Sequence, residues 1–336
     1  MNELSELPLQ LCDQTMKQES NVKYLGDYLS EKGLSESVQI TVNKRKGLVN
    51  KAIFEVKRIL NDCRADLTGG IVSGFTLWEM AVLPMLLYNA ETWQDTTRKT
   101  IEDLERLQLK FLRIVLGVGT GCPIVLLYSE TGMILMEFRI LQKKLLFLHH
   151  LQNLPPSALA SEVLAIQTEN GLPGIFNDCK EFLAKFEIYN LKQYSKFQFK
   201  NLVKKKICEL NKSKLLELAQ NKKYKKVDFS DLAENDFKLK PYFKNLRIAD
   251  SRLKFKLVSK MVPYIKMNFT SDKRYASESW VCDSCKFTNI EKPKDTQEHV
   301  LVCSAYENLR QGKNLSEDKD LVEYFRQVLN HRMLNQ

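Results

Sequence analysis

VQITVNKRKGLVNKAIFEVKRIL, residues 38–60, sets Val42, Val49, Ile53, Val56 and Leu60 at helical spacing. Lys44, Arg45, Lys46, Lys51, Lys57 and Arg58 fall between them. Steps of three, four and seven return apolar side chains to one face of a 3.6-residue helix, so the stretch predicts an amphipathic helix with a basic side.

Working outward, the same period recurs. Ile71, Phe75, Trp78, Val82 and Met85 mark a second helix, and Thr100 to Leu116 a third that Gly117 stops. On that third helix Arg106, Lys110 and Arg113 share a face. Phe138 to Leu151 continues the pattern, with Phe138, Leu141, Leu145 and Leu148 inward and Arg139, Lys143 and Lys144 outward, until Pro155-Pro156 breaks it. Lys196 to Lys226 reads as a helical, lysine-coated connector, including Lys204, Lys205 and Lys206 and the run Lys222 to Lys226. A further helix, about Leu246 to Val262, ends at Pro263.

Upstream, Val22 to Leu29 alternates well enough for a short strand or hairpin edge, with Gly33 as a turn. Residues 1 to about 22 show no clean period and are expected to be loosely ordered. Strand signals are few, there is no internal repeat of 20 to 50 residues, and the fold class is therefore mainly α.

The chain has 336 residues, 44% of them hydrophobic, enough for a real core. Its net charge of +10 comes chiefly from lysine and favours contact with a polyanion, ordinary solvated lysine being the alternative. No apolar run approaches the roughly 20 residues of a membrane span, and the polar start at Met1 to Glu6 lacks a signal-peptide pattern. An intracellular protein, nuclear or cytoplasmic and not secreted, is expected, with no membrane partner.

Of eight cysteines, Cys12, Cys63, Cys122, Cys179 and Cys208 stand alone, which speaks for reduced thiols and against a disulfide framework. Cys282, Cys285, His299 and Cys303 cluster. Cys-x2-Cys, a 13-residue loop and His-x3-Cys supply four soft or borderline ligands, the set that closes a tetrahedral zinc site and leaves no position for water. A structural zinc is expected, packed by Trp280, Phe287, Val300 and Tyr306; unrelated reduced thiols beside a histidine are the alternative. No His-x-x-x-His motif supports a catalytic zinc. His149 and His150 are adjacent, point to different sides of a helix, and read as packing residues.

The candidate phosphate contacts are Lys44, Arg45, Lys46, Arg106, Lys110 and Arg113, with Lys204, Lys205 and Lys206 in support. Such side chains position a nucleic acid without reading its sequence, and solvated helix faces are the competing reading. Tyr189, Tyr194, Phe197, Phe199 and Tyr224 can stack on unpaired bases, but at this spacing they read more readily as packing residues.

Four motifs, one of them in two pieces, together carry a family resemblance. Val82 to Trp93, ending Leu86-Leu87-Tyr88-Asn89-Ala90-Glu91-Thr92-Trp93, resembles a segment that follows the palm in non-LTR (LINE-type) retrotransposon reverse transcriptases. There the usual form is Leu-Leu-Tyr-Gly-Ala-Glu-Thr-Trp, and Asn89 replaces its glycine. Lys23-Tyr24-Leu25-Gly26 resembles the passage from palm to thumb. Leu104 to Gln108 with Phe111-Leu112-Arg113 and Leu116-Gly117 resembles the thumb helix, as does Phe147 to Leu151. The Cys-Cys-His-Cys knuckle followed by Tyr306 and Leu309-Arg310 completes the set.

The resemblance implies consecutive blocks: a palm-to-thumb remnant at 1–37, a helical thumb bundle at 38–154, a lysine-rich helical linker at 155–265, and a knuckle with a carboxy-terminal helix at 266–336. It implies RNA or DNA as partner, as template–primer or target DNA. The family polymerises DNA with magnesium held by palm aspartates, and this chain has no adjacent Asp pair, so magnesium and polymerisation are expected only if a palm completes it. Fingers, palm and any amino-terminal endonuclease are expected to be missing, and the 33 residues after Cys303 are too few for a carboxy-terminal nuclease. The leading expectation is a nucleic-acid-binding fragment. Its alternatives are one piece of an active reverse transcriptase with its palm encoded upstream, and a host-retained zinc-containing protein-interaction module.

Overall fold

The computed structural model describes residues 10–11, 14–15, 19–62, 67–220, 232, 234, 236–262, 281–282, 284–285 and 293–334. Two antiparallel hairpins come first, β1 (Gln10–Leu11) with β2 (Gln14–Thr15), and β3 (Asn21–Tyr24) with β4 (Asp27–Ser30). Helices follow: α1 (Leu34–Asp62), α2 (Gly70–Leu77), a π turn (Trp78–Val82), α3 (Leu83–Leu86), α4 (Arg98–Leu116), α5 (Ile124–Thr131), α6 (Met136–Gln152), α7 (Leu159–Glu169) and α8 (Ile175–Lys185). The order continues with α9 (Lys196–Ala219), α10 (Tyr242–Asn245), α11 (Ile248–Val258), α12 (Gln297–Val302), α13 (Glu307–Arg310) and α14 (Asp318–Leu334). The mainly α expectation holds. No described helix is long and apolar enough to cross a membrane.

The chain divides into two compact units, one from Met1–Val49, Met85–Leu104 and Arg139–Lys204, the other from Asn50–Pro84, Glu105–Phe138 and Lys205–Gln336. They interleave along the chain. The loosely ordered start expected for residues 1–22 lies largely outside the described residues, as do Lys222 to Lys226 and the Pro263 stop.

In the first unit, β3 and β4 pair from Asn21↔Ser30 to Tyr24↔Asp27 around a two-residue turn, Leu25 and Gly26, both at positive φ. That is the turn whose twist matches a hairpin, and glycine takes it without strain. The hairpin is tied to α1 because the backbone N–H of Tyr28 donates to the Thr41 hydroxyl at 2.9 Å and that of Ser30 to Ser37 at 2.8 Å. Gly33 forms the turn into α1, donating to Ser30 at 3.1 Å.

Two side chains of this unit depart from expectation. Arg45 is only 7% exposed, and Lys144, expected outward on α6, is 6% exposed and pairs with Asp178 at 2.6 Å. Lys144 lies four residues from both Ile140 and Leu148, which are themselves buried, so the helix carries it into the core and a carboxylate meets it there. His149 is buried and stacks on Phe199 at 4.6 Å, with Nε2 3.0 Å from the Tyr194 carbonyl oxygen. Ser195 and Gln198 cap the start of α9 reciprocally: the N–H of Ser195 donates to the Gln198 side chain at 2.9 Å, and the N–H of Gln198 to the Ser195 hydroxyl at 3.3 Å.

The second unit is built on aromatic packing. Trp78 stacks on Phe111 at 4.4 Å, and Phe75 meets Phe111 and Phe243 edge-on at 6.4 and 5.6 Å. The π turn, where the N–H of Leu83 reaches the Trp78 carbonyl, ends two residues before Pro84, which has no N–H to donate into a regular helix. Gly132 ends α5 at φ 67, and a Cβ there would meet the Lys238 and Leu239 backbone at 2.7 to 2.9 Å. The later part of α9 belongs to this unit's core, since Ile207 and Leu215 are buried with Asn211 between them. Asn211 accepts from the N–H of Leu135 at 3.0 Å and donates to the Met133 carbonyl at 3.4 Å, satisfying backbone just before α6.

Candidate functional site

Between Val281 and Lys294 a single antiparallel bridge brings two chain segments together. The N–H of Cys282 donates to Pro293 at 3.0 Å and that of Cys285 to Cys282 at 3.1 Å, which makes the Cys-x2-Cys stretch a tight turn. Thr296 then caps α12 by accepting from the N–H of His299 at 3.0 Å. The helix places His299 in its first turn and Cys303 at its end.

The result brings all four sequence-predicted ligands together. Cys285 Sγ lies 3.4 Å from His299 Nε2 and 3.3 Å from Cys303 Sγ, and the four ligand atoms fall within 4.8 Å of one another. Tetrahedral Zn–S bonds of about 2.3 Å set sulfurs about 3.8 Å apart, so the cluster has the size of one such ion. The four side chains can hold a metal ion, and the donor set is compatible with zinc. The three cysteines are buried and His299 half-buried.

Burial sets the protonation of this cluster. It pushes the Cys282 thiol up and Cys285 to about 12, while it lowers the His299 imidazolium and favours the neutral ring. A dication reverses the balance for the thiols, because it supplies the positive charge that burial otherwise withholds.

Around these four side chains lies a set of polar bonds that sequence reasoning missed. Arg332 of α14 forks onto Asp295 at 2.8 and 2.9 Å and donates to the Tyr306 hydroxyl at 2.9 Å, which in turn meets Ser284 at 2.9 Å. Arg310 donates to the Cys303 carbonyl at 2.7 Å. Asp295 is 1% exposed, and its partner stands 37 residues away, so no local spacing could have paired them. Val300 and Tyr306 pack the cluster as expected, in one core with Leu257, Tyr324, Phe325 and Val328. Trp280 and Phe287 lie outside the described residues.

The chain matches no protein-family model, no curated protein and no solved structure.

The basic residues divide by burial. Arg45 leaves the set of phosphate contacts: its guanidinium donates to Asp27 at 2.5 Å and to the carbonyls of Gly26, Leu86 and Tyr88 at 3.0, 3.4 and 2.7 Å. Its place on the apolar stripe of α1, three residues after Val42 and four before Val49, is the signal that could have found this. Lys46 pairs with Asp103 at 2.6 Å, and Lys110 donates to Asn50 at 2.6 Å while lying over the Phe54 ring. Arg113 is half-buried, and Lys206 pairs with Glu209 at 3.0 Å. Lys44, Arg106, Lys204 and Lys205 are exposed.

Proposed function

We propose that this chain is a nucleic-acid-binding part of a non-LTR retrotransposon reverse transcriptase, a thumb-like helical body with a knuckle held by a structural zinc. The observation that carries the reading is the junction at Arg45. Two stretches that each resemble the family, 23–26 and 86–93, meet at one guanidinium, which bonds the Gly26, Leu86 and Tyr88 carbonyls and lies over the Tyr88 and Trp93 rings. Asn89 adds a bond to Asp27 at 2.6 Å across 62 residues.

Asn89 stands where the family carries glycine, and its φ of 56 is a left-handed conformation that glycine takes freely and asparagine tolerates. The one departure in the motif thus agrees with the backbone it must adopt. Four cysteine and histidine donors with no open position suit a zinc that holds structure, and magnesium enters only through palm aspartates supplied from elsewhere. The chemistry assigned to this chain is binding of RNA or DNA by exposed lysine and arginine, with Lys44, Arg106, Lys204 and Lys205 as the contacts.

The test is binding of the zinc-loaded chain to labelled single-stranded RNA, single-stranded DNA and a hybrid duplex across a salt series. Affinity should fall steeply as salt rises, with a log–log slope of about −0.7 to −0.9 per phosphate neutralised. Absence of binding at low salt overturns the proposal.

A further inference from the structure

Phe197 and Tyr189 are 74% and 82% exposed, although Ile188, Leu191 and Phe199 around them are buried. Large aromatic side chains left in water amid lysines call for a partner with a flat apolar face and negative charge.

Phe197 stands in the first turn of α9, and helical geometry puts Lys200, three residues on, and Lys204, seven on, along its face. Lys196, Lys200 and Lys204 are all exposed, and none is ion-paired among the described residues. The first acidic residue of the helix is Glu209, and the positive end of the helix dipole lies at the turn that carries Phe197. Residues 196–205 thus present an aromatic ring among exposed lysines.

A duplex stacks its base faces on each other and hides them from such a ring; an unpaired strand offers them. We propose that this face of α9 binds single-stranded nucleic acid, with Phe197 stacked on an unpaired base and Lys200 and Lys204 on flanking phosphates. The proposal rests on the nucleic-acid reading above and assigns it a surface and a strand preference.

Phe197→Ala, Phe197→Trp and Lys200→Gln/Lys204→Gln are compared with the unaltered full chain, using a labelled single-stranded oligonucleotide and a blunt duplex of the same sequence. Phe197→Ala should weaken single-strand binding by at least about 5-fold, as for one lost base stack, and leave duplex binding unchanged. Phe197→Trp should restore it. The lysine pair should flatten the single-strand salt slope by about 1.4, or 0.7 for each phosphate released. If the chain binds both nucleic acids and Phe197→Ala changes neither, this surface is wrong while the general reading stands. If the unaltered chain binds neither, both fall.

Discussion

Replacing Arg45 with alanine removes the cation of the half-buried Asp27 carboxylate and the donors of three backbone carbonyls at once. An uncompensated buried charge costs about 3–5 kcal/mol, so Arg45→Ala should lower the unfolding free energy by about that much in urea titration, while Lys44→Gln, on the exposed side, should stay within about 0.5 kcal/mol. The contrast tests whether residue 45 belongs to the core or to the surface. Charge type alone could not say; its register on α1 could. A half-buried group carries a pH signature. Tyr128 donates to Glu105, as does the N–H of Met136 at 2.9 Å, and burial pushes the Glu105 carboxyl from 4.5 up to about 7. Because the folded value is raised above the unfolded one, its contribution to stability is fully present below pH 4.5 and is lost as pH rises through 7. The full loss is about 3 kcal/mol. Glu105→Gln should flatten that part of the stability profile between pH 4.5 and 8; a variant with the slope of the unaltered chain would refute the assignment.

At the scale of the element, α9 shows how composition can hide a core helix. Lysine dominates its sequence and suggests a solvated connector, yet Phe199, Val203, Ile207, Asn211 and Leu215 recur every four residues and are all buried. Steps of four drift slowly around a helix, so the stripe is narrow and lysines fill the remaining surface. The period was legible; the weight given to charge concealed it. Two neighbouring phenylalanines make the test. Phe199 is fully buried under His149, so Phe199→Ala should cost about 3–5 kcal/mol, whereas Phe197→Ala, on the exposed side, should cost less than about 0.5 kcal/mol in the same urea titration. Equal losses would mean that the helix is rotated from its described register.

For the molecule as a whole, local periods located α1, α2, α4, α6, α9 and α11, and spacing located the four candidate metal ligands, because helix stops and Cys-x2-Cys spacing are written within a few residues of one another, whereas the short α5, α7 and α8 carried no such period. The interleaving of the two units was not legible, since it depends on which apolar stripes meet across long separations. The Cys/His lobe shows the same limit: its candidate ligands are local, but Cys282, Cys285 and Cys303 share a core with residues of α11 and α14. A segment held in this way should lose much of its order when the ion leaves. Free zinc at 1,000 times its Kd adds about 4 kcal/mol to the stability of any state that binds it alone, so chelation should lower the melting temperature, and hydrogen exchange should localise the lost protection to residues 297–328. Readdition of one equivalent of zinc should restore both, while Cys303→Ser should behave as the chelated chain with or without metal. Unchanged melting and exchange on chelation would mean that Arg332, Asp295 and Tyr306 hold this lobe without an ion.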